Sequence, residues 1–576
     1  MKENKRLLRN LVFVGLTFSV LISSAGCTKT TKTEDKQVLT SYQTEKIGHT
    51  LSQWENDIYL DVEPIGADVT GENVVAKTAN GYEFSYVTDD EQITYFIDTE
   101  NEKVKNGLIH VTAKLGEYKE IVALTDGGTA YRSAKLTDYT PERFAEEAEV
   151  VFKPTFEDGV LTLDYYETFE EITTHKSYSI YIKGKTLIYE VSSDSTNYKN
   201  GYSQFSIGHA EKIENPRLQT VAFHDDVPVI VVDDSYFLTT FVDLANSNAT
   251  SKNVSSGVKK KEQIAYTGQN TVYGKNTEGT VNALGERLYI TVSSDILDCL
   301  SYTSNEKTEY RDLLTNKVIL DVWQSDEEAR YSTVLPYAET YGMEEVLTIF
   351  HRWQRDGYDN SNPVFFPASE VWGGNAALQK TFNALQSYGW MTALHEDYWF
   401  IATDKENEYM YEEDLADRLC KSATFQALPG WSNSNTGISG WTILPGAMEY
   451  YAEKNSPLIK DTFKTNACYL DVSGARWPDA ARAVTFDASS KMSRSLKQST
   501  KETAEFFGYL TNMYQGPVFS EGAEGAEASF QNAMSGVLQG VERELQGHTS
   551  GLIMPDYEVK YIRELAAHQG MGYQRR

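Results

Sequence analysis

Short apolar runs in the second half of the chain lead directly into ionisable residues. The run VLTIF leads into His351 and WMTAL into His395, while ACYL is followed by Asp471, PVFS by Glu521 and LIMP by Asp556. Such runs have the length and composition of buried strands. If these strands share one sheet, their charged ends meet at one edge. Clustered like charges shift each other's pKa values, which is typical of a functional site.

Asp471 and Glu521 form the pair of carboxylates best suited to catalysis. Asp471 lies in YLDVSG and Glu521 in VFSEG, and a glycine (Gly474 or Gly522) leaves room beyond each one. Hydrolysis of a glycosidic bond with retention needs two carboxylates about 5 Å apart, one as nucleophile and one as acid/base. For any single carboxylate at a strand end, a helix N-cap is the alternative. We therefore predict that Asp471 and Glu521 are catalytic.

Aromatic side chains near the same strand ends are candidates for stacking on sugar rings. Trp390 lies within a strand and is expected in the core. For the other tryptophans of this half, core or loop packing is the open alternative. These are Trp353, Trp372, Trp399, Trp431, Trp441 and Trp477. Tyr398 and Asp556 follow predicted strands and are also candidate substrate-binding residues, and Asp356 is either a subsite residue or a loop cap.

The elements that must position these residues are helices that alternate with short apolar strands. We predict helices at 374–388, 447–464, 496–515 and 557–568, and strands at 390–394, 467–470, 517–519 and 551–554. This alternation implies a parallel sheet that is buried on both faces. For residues 326–576, a (β/α)8 barrel is the economical interpretation. Only about seven of its eight strands are found, so either the eighth strand is supplied in an unusual way or the barrel is incomplete at the C-terminus.

The preceding residues, 46–325, show short alternating strands that are typical of a large β-sandwich. The segment around Lys183-Gly184-Lys185 predicts a hairpin, and NKVILDVW is assigned to this domain as a further strand. A helix is predicted near 140–152. The expected fold is therefore multidomain, a β-sandwich followed by an α/β barrel.

The first residues indicate where the protein is located. A basic start precedes an apolar run at 11–22, which is too short to cross a bilayer and reads as a signal peptide over residues 1–26. Ser24-Ala25-Gly26 before Cys27 predicts lipidation of Cys27, with cleavage near Ala25 by an ordinary signal peptidase as the alternative. Residues 27–45 are a polar tether. We expect a lipoprotein on the extracellular face of a bacterial cell membrane, held by its lipid anchor only.

Charge and cysteine content exclude several classes of protein. The net charge of −30 argues against a nucleic-acid partner. Beyond Cys27 only Cys299, Cys420 and Cys468 remain, without CxxC spacing, so neither a disulfide framework nor a zinc site is expected. The acidic residues at 404–413 are typical of a solvated loop, because Tyr409 stands where a calcium loop needs glycine. We expect no metal and no cofactor.

The order of a β-sandwich and a barrel, with YLDVSG and later VFSEG, resembles glycoside hydrolase family 101 and its relatives. These are endo-α-N-acetylgalactosaminidases and related retaining α-glycosidases. The resemblance implies that Asp471 is the nucleophile and Glu521 the acid/base. It also implies that His395 and Asp397 bind the sugar. It covers residues 50–576 in organisation and is specific only around these short motifs.

Two functions are therefore carried forward. The first is a surface-anchored hydrolase that acts on an α-linked glycan by double displacement. The second is a non-catalytic carbohydrate-binding or structural lipoprotein of the cell surface, which the incomplete barrel favours. A serine or metal hydrolase has little support, because the sequence contains neither GxSxG nor a zinc motif.

Overall fold

The computed structural model describes most of the chain between Lys36 and Ser520, together with residues 540–541. The described ranges are 36–44, 62–116, 119–130, 146–169, 171–196, 201–219, 228–274, 280–303, 310, 317–323, 327–422, 425–473, 494–520 and 540–541. The predictions for the signal peptide, Cys27, Trp477, Glu521, Asp556 and the elements at 551–568 lie outside these ranges.

The first part of the described chain consists almost entirely of antiparallel strands. In chain order they are β1 (Gln37–Thr44), β2 (Val62–Pro64), β3 (Gly71–Lys77), β4 (Gly81–Val87), β5 (Gln92–Asp98), β6 (Ile109–Leu115), β7 (Glu120–Ala130), β8 (Glu149–Glu157), β9 (Val160–Phe169), β10 (Ile172–Lys183), β11 (Thr186–Ser192), β12 (Gln204–Ser206), β13 (His209–Glu211), β14 (Arg217–Gln219), β15 (Val229–Val232), β16 (Tyr236–Val242), β17 (Ser251–Val254), β18 (Gly257–Lys259), β19 (Ile264–Tyr266), β20 (Gln269–Val272), β21 (Gly285–Ser293) and β22 (Ser301–Thr303). One α-helix that is described over its full length lies among them, α1 (Glu102–Lys105).

These strands form two large antiparallel sheets. A twelve-stranded sheet follows the order β1-β3-β4-β5-β6-β7-β12-β20-β17, with β13, β18 and β19 attached at its side. An eight-stranded sheet runs β14-β15-β16-β21-β11-β10-β9-β8, and β2 pairs with β22. Along β9 buried and half-buried residues alternate, and Leu161, Leu163 and Tyr165 face the core. Period-two burial of this kind arises when each sheet covers one side of a shared core.

The predicted hairpin is confirmed. Lys183 of β10 pairs with Thr186 of β11, and Gly184 in the turn has a φ of +54°. A Cβ atom there would also lie 2.4 Å from the carbonyl oxygen of Gly66, so both conformation and space require glycine.

The helix predicted near 140–152 is wrong in its last residues. Glu149–Glu157 is strand β8 and pairs along its whole length with β9. The β-branched Val150, Val151 and Thr155 suit a pleated strand, and pairing with a neighbouring strand overrides a local helical pattern.

The second part of the chain contains a six-stranded parallel sheet. Its strands, in spatial order, are β23 (Val318–Val322), β24 (Val346–Phe350), β25 (Met391–Glu396), β29 (Ala467–Leu470), β30 (Val518–Ser520) and β31 (Gly540–Val541). Each adjacent pair is parallel. The parallel sheet that the sequence predicted is therefore present, and closure of the sheet into a barrel stays a prediction.

The strand in NKVILDVW was assigned to the wrong sheet. β23 pairs in parallel with β24, so the parallel sheet begins at Val318 and not after residue 326. The sequence could not separate the two cases, because an isolated apolar strand carries no mark of parallel or antiparallel pairing.

Four helices accompany this sheet: α2 (Glu327–Glu339), α3 (Gly374–Ser387), α4 (Pro445–Phe463) and α5 (Leu496–Tyr514). The bounds of α3, α4 and α5 lie close to the predicted ones, whereas α2 was not predicted. The side chain of Ser495 caps α5 by accepting from the amide of Gln498. The start of α5 also donates from Leu496 to the carbonyl of Ala249, which ties the helix to the β-rich part. None of the described helices is long and apolar enough to span a bilayer.

The two faces of the parallel sheet pack against different partners. One face forms a small separate cluster of Leu347, Ile349, Met391, Ala393, Ala467 and Tyr469. The other face, which includes Phe350, Leu394 and Leu470, joins the main core together with the helices. A small antiparallel sheet, β26 (Phe400–Ala402), β28 (Ile438–Thr442) and β27 (Pro429–Asn433), is inserted between β25 and α4.

Candidate active site

Strand register places three polar residues on the same face of the parallel sheet. Ile349 pairs with Ala393, and His395 pairs with Tyr469. Because side chains alternate along a strand, His351, His395 and Asp471 continue the face that the small apolar cluster occupies. The sequence prediction that charged residues at several strand ends meet at one edge holds for these residues.

His395 lies at the centre of this group and is fully buried. Its Nε2 atom is 3.4 Å from Oδ1 of Asp359 and 3.9 Å from Oδ2 of Asp471. Its Nδ1 atom is 2.9 Å from Nδ1 of His351. Three neighbours therefore surround the two ring nitrogens, and two of them are carboxylates.

The charge state of His395 follows from these neighbours. Burial by itself lowers its pKa, but the negative charge of Asp471 and the contact with Asp359 outweigh burial and raise the pKa to about 9. His395 is therefore an imidazolium at neutral pH, and both of its nitrogens donate. Nδ1 of His351 must then be the acceptor, which assigns the proton of the His351 ring to Nε2.

Asp471 follows β29 directly and is almost fully buried. The hydroxyl of Tyr469 donates to its Oδ1 at 3.2 Å, and that of Tyr358 lies 3.5 Å from its Oδ2. The next residue, Val472, has a φ of +61°, which is unusual for a β-branched residue and strains the backbone. A strained turn thus presents a carboxylate beside two tyrosine hydroxyls and a cationic imidazole ring.

Aromatic rings lie around this carboxylate. Trp323 stacks on His351 with ring centroids 3.9 Å apart, and Tyr358 contacts both Trp323 and His395 with centroids 5.3 and 5.2 Å apart. Trp431, on β27, meets the edge of Tyr358 at 6.5 Å. Trp323, Tyr358 and Trp431 are all half-buried, so they combine a packed side with an accessible one.

Two predicted substrate-binding residues lie in the core instead. Trp353 is fully buried, packs against Phe365 and Phe463, and donates from Nε1 to the carbonyl of His395 at 2.8 Å. Tyr398 is fully buried, and its hydroxyl contacts Glu396 at 2.6 Å. Neither ring is accessible to a sugar, so the structure favours the packing alternative for Trp353 and a structural role for Tyr398.

Asp397 is also buried, but it is connected to the site. It accepts from the amide of Trp399 at 2.8 Å and from Nδ2 of Asn362 at 3.1 Å. The same Asn362 nitrogen lies 3.1 Å from Oδ1 of Asp359. Burial and the charge of Asp359 raise the pKa of Asp397 well above its ordinary value. Asp397 therefore helps to hold Asn362 beside Asp359, and its own side chain does not face solvent.

The remaining predicted residues are less central. Asp356 is exposed and pairs with Arg355 at 2.8 Å. Trp372 lies in a 3₁₀ turn at Glu370–Trp372, and the structure does not describe its side chain. Since Glu521 lies outside the described residues, the distance between its carboxyl and that of Asp471 stays a prediction.

The sequence missed Trp323, Tyr358 and Asp359. Trp323 directly follows β23, so the strand-end rule would have found it had β23 been placed in the parallel sheet. Tyr358 and Asp359 lie in the loop after β24, where no hydrophobic periodicity predicts which way the side chains point. Asp359 has a φ of +54°, and its position depends on the fold of that loop.

Two groups among the described residues have the donors to hold a cation. Asp359, His395 and Asp471 form one, and Asp126, His209 and Glu211 form the other. In the first group a protonated His395 already supplies positive charge. In the second, Nζ of Lys103 lies 2.7 Å from Asp126.

Two of the acidic residues at 404–413, which the sequence assigned to a solvated loop, form close ion pairs with basic side chains. Glu408 contacts Arg355 at 3.3 Å, and Glu412 contacts Arg418 at 2.8 Å and Lys454 at 2.7 Å. Cys299, Cys420 and Cys468 are buried, and none of these three forms a disulfide bond.

The fold as a whole is glycosidase-like and β-rich. The chain is similar to three structures of the α-N-acetylgalactosaminidase NagBb from Bifidobacterium bifidum, each at 10% sequence identity. For the GalNAc complex the TM-score is 0.54, with 82% of this chain and 80% of that one covered. For the ligand-free form it is 0.51 (77% and 78%), and for the Gal-NHAc-DNJ complex 0.52 (77% and 76%). No protein-family model and no curated protein sequence matches the chain.

Proposed function

We propose that this protein is a retaining glycoside hydrolase that acts on an α-linked glycan, with Asp471 as its nucleophile. The observation that carries the proposal is the setting of Asp471. This carboxylate follows a strand of the parallel sheet, lies 3.9 Å from a cationic His395 and has two tyrosine hydroxyls at hydrogen-bond distance. A nearby positive charge favours the ionised form, which is the form that attacks.

The reaction has two steps. Asp471 attacks the anomeric carbon and forms an ester with the sugar, while Glu521 gives its proton to the departing glycosidic oxygen. Glu521, now a carboxylate, takes a proton from a water molecule as that water attacks the anomeric carbon. The bond to Asp471 breaks, Asp471 leaves as a carboxylate, and the sugar is released with its original configuration. The role of Glu521 rests on its sequence setting in VFSEG.

The substrate class has two lines of support. YLDVSG and VFSEG resemble motifs of glycoside hydrolase family 101, and the fold is similar to that of an α-N-acetylgalactosaminidase. α-N-Acetylgalactosaminides are therefore the first substrates to test. Half-buried Trp431 and Tyr358 are the rings we expect to contact the sugar. The proposal includes completion of the parallel sheet as a (β/α)8 barrel.

The cellular location belongs to the same proposal. A signal peptide at 1–26 and lipidation at Cys27 would hold the enzyme on the extracellular face of the membrane, where glycans are accessible. Incorporation of labelled fatty acid into the parent, and its loss in Cys27→Ser, tests this assignment.

The test of function uses protein that lacks residues 1–27. The parent, Asp471→Asn and Glu521→Gln are incubated with aryl α-glycosides, α-N-acetylgalactosaminides first, and with mucin-type glycans. Asp417→Asn is the matched control, because Asp417 is an exposed carboxylate that pairs with Lys421. We expect release by the parent and the control, with retained configuration by NMR, and loss in the other two variants. Binding of sugar without release in all four proteins would instead establish the non-catalytic alternative.

A further inference from the structure

The last residue of β25, Glu396, is a fully buried carboxyl on the helix side of the parallel sheet. Its Oε2 atom lies 2.6 Å from the hydroxyls of both Ser456 and Tyr398. Its Oε1 atom is contacted by the hydroxyl of Tyr514 and, at 3.4 Å, by the thiol of Cys468. These partners come from α4, α5 and β29, so one side chain joins three elements to β25.

The number of protons available in this group determines the charge of Glu396. The oxygens of Ser456 and Tyr398 lie 2.8 Å from each other, so with Oε2 they form a triangle whose three sides are all at hydrogen-bond distance. A neutral Glu396 supplies a third proton, so that each side of the triangle holds one hydrogen bond. A carboxylate instead accepts from both hydroxyls, and the side between Ser456 and Tyr398 is then a contact between two donors.

The surroundings of Glu396 favour the neutral form. Burial raises the pKa of its carboxyl, and the hydrogen bonds donated by its partners lower the pKa only in part. The groups packed against it are hydroxyls and a thiol, which carry no positive charge. Tyr509 of α5 is the further titratable group that senses a charge on Glu396.

The backbone connects Glu396 to the candidate active site on the opposite face. Its carbonyl accepts from the amide of Asp471 at 2.8 Å. The residue before it is His395, whose side chain points to the other face because side chains alternate along a strand. The anchor on the helix side therefore fixes the point where β25 ends, and with it the positions of His395 and Asp471.

We propose that Glu396, as a neutral carboxylic acid, is a positioning residue that holds the end of β25 against α4 and α5 and thereby sets the separation of His395 and Asp471. Its effect on catalysis rests on the proposed function, whereas its effect on the two side chains does not.

The first experiment measures the titration of His395 by NMR in protein with isotope-labelled histidine, with the signal assigned through His395→Gln. We expect the parent and Glu396→Gln to titrate at about the same pH, because an amide reproduces a neutral acid in size and hydrogen bonding. In Glu396→Ala, His395 should titrate at a lower pH, since Asp471 moves away from it. Ser456→Ala, which removes one hydroxyl and little volume, should shift the titration in the same direction by less. Unchanged titration in folded Glu396→Ala and Ser456→Ala would overturn the proposal.

The second experiment tests the proton directly. In an infrared difference spectrum between the parent and Glu396→Gln in D₂O at neutral pH, we expect the carbonyl stretch of a protonated carboxylic acid. A carboxylate band in its place would overturn the neutral-acid assignment.

Kinetics then separate positioning from binding. Glu396→Ala should lower kcat about 10- to 100-fold with little change in KM, and Glu396→Gln should restore it, since a small displacement of a reacting group costs about this much. Equal loss in both variants would contradict the proposal. If the parent releases no sugar from any substrate, the proposed function fails, and the titration of His395 still decides the positional claim.

Discussion

The Nδ1 atoms of His351 and His395 lie 2.9 Å apart, so one ring must donate to the other. The carboxylates beside His395 make it the donor. Because Trp323 stacks on His351 and Asp471 lies beside His395, one series of contacts runs along the ends of β23, β24, β25 and β29. The candidate nucleophile is thus connected, through these contacts, to side chains at the ends of four neighbouring strands.

The first prediction concerns alkaline pH. The pKa of His395 is raised from 6.5 to about 9, so its contribution to stability is complete below pH 6.5 and is lost as the pH rises through 9. A shift of this size corresponds to about 3 kcal/mol. We expect the free energy of unfolding and kcat/KM to fall together between pH 7 and 10. His395→Gln should lack this decline in stability, and an equal decline in both proteins would contradict the assignment.

The second prediction concerns His351. His351→Phe keeps a ring against Trp323 but removes the acceptor for the Nδ1 proton of His395, which disfavours the imidazolium. The loss of one hydrogen bond to a charged group should lower the pH at which His395 titrates by about one unit. NMR titration of the labelled ring measures the shift. Trp323→Phe, which alters the stacking and leaves the hydrogen bond, is the control and should titrate like the parent.

The third prediction separates two tryptophans of the small inserted sheet. Trp431 contacts Tyr358 near Asp471, whereas Trp441 packs against the main core. Trp431→Ala should raise KM about fivefold with kcat nearly unchanged, because a stacking contact with a sugar contributes about 1 kcal/mol. Trp441→Ala should lower the free energy of unfolding and leave KM close to that of the parent. The reverse pattern would place the sugar elsewhere.

The fourth prediction tests the core position of Trp353. Trp353→Phe removes the donor to the buried carbonyl of His395 and leaves a small cavity. We expect the free energy of unfolding to fall by about 1–3 kcal/mol, because a buried acceptor is left without its partner. Urea unfolding measures this loss, and sugar affinity should stay unchanged. A weaker affinity without loss of stability would support the sugar-stacking role that the sequence suggested.

Much of the parallel sheet could be predicted because its strands are continuous apolar runs. The run at 467–470 was predicted with its observed bounds, and Asp471 followed from its end. In contrast, β23 looked like any other strand, since pairing direction leaves no mark in an isolated run. Because side chains alternate along a strand, the sequence HED at 395–397 does not show which of its side chains face the site. His395 and Glu396 face opposite sides of the sheet, and only the position of β25 shows which side holds the site.

The loop after β24 could not be predicted for a different reason. Arg352 and Asp359 adopt left-handed conformations, which redirect the chain without an apolar pattern that would reveal it. Tyr358 and Asp359 reach His395 because of this path, and Trp353 is buried by it. Residue type suggested an aromatic surface, but burial depends on how the loop folds back over the sheet.

The fifth prediction concerns Glu286, a buried carboxyl of the eight-stranded sheet. Its Oε1 atom accepts from Tyr273, Thr271 and Ser247 at 2.6, 2.7 and 3.0 Å, while no described residue donates to Oε2. Burial outweighs these hydrogen bonds and raises its pKa from 4.5 to about 7. Its contribution to stability is therefore complete below pH 4.5 and is lost as the pH rises through 7. Glu286→Gln cannot ionise at this position, so its free energy of unfolding should increase relative to that of the parent by about 3 kcal/mol between pH 4.5 and 8. Glu262→Gln, which changes an exposed carboxylate, is the control, and its free energy of unfolding should follow that of the parent in the same denaturation series. If the difference in the free energy of unfolding between Glu286→Gln and the parent does not change with pH, Glu286 is ionised over the whole range.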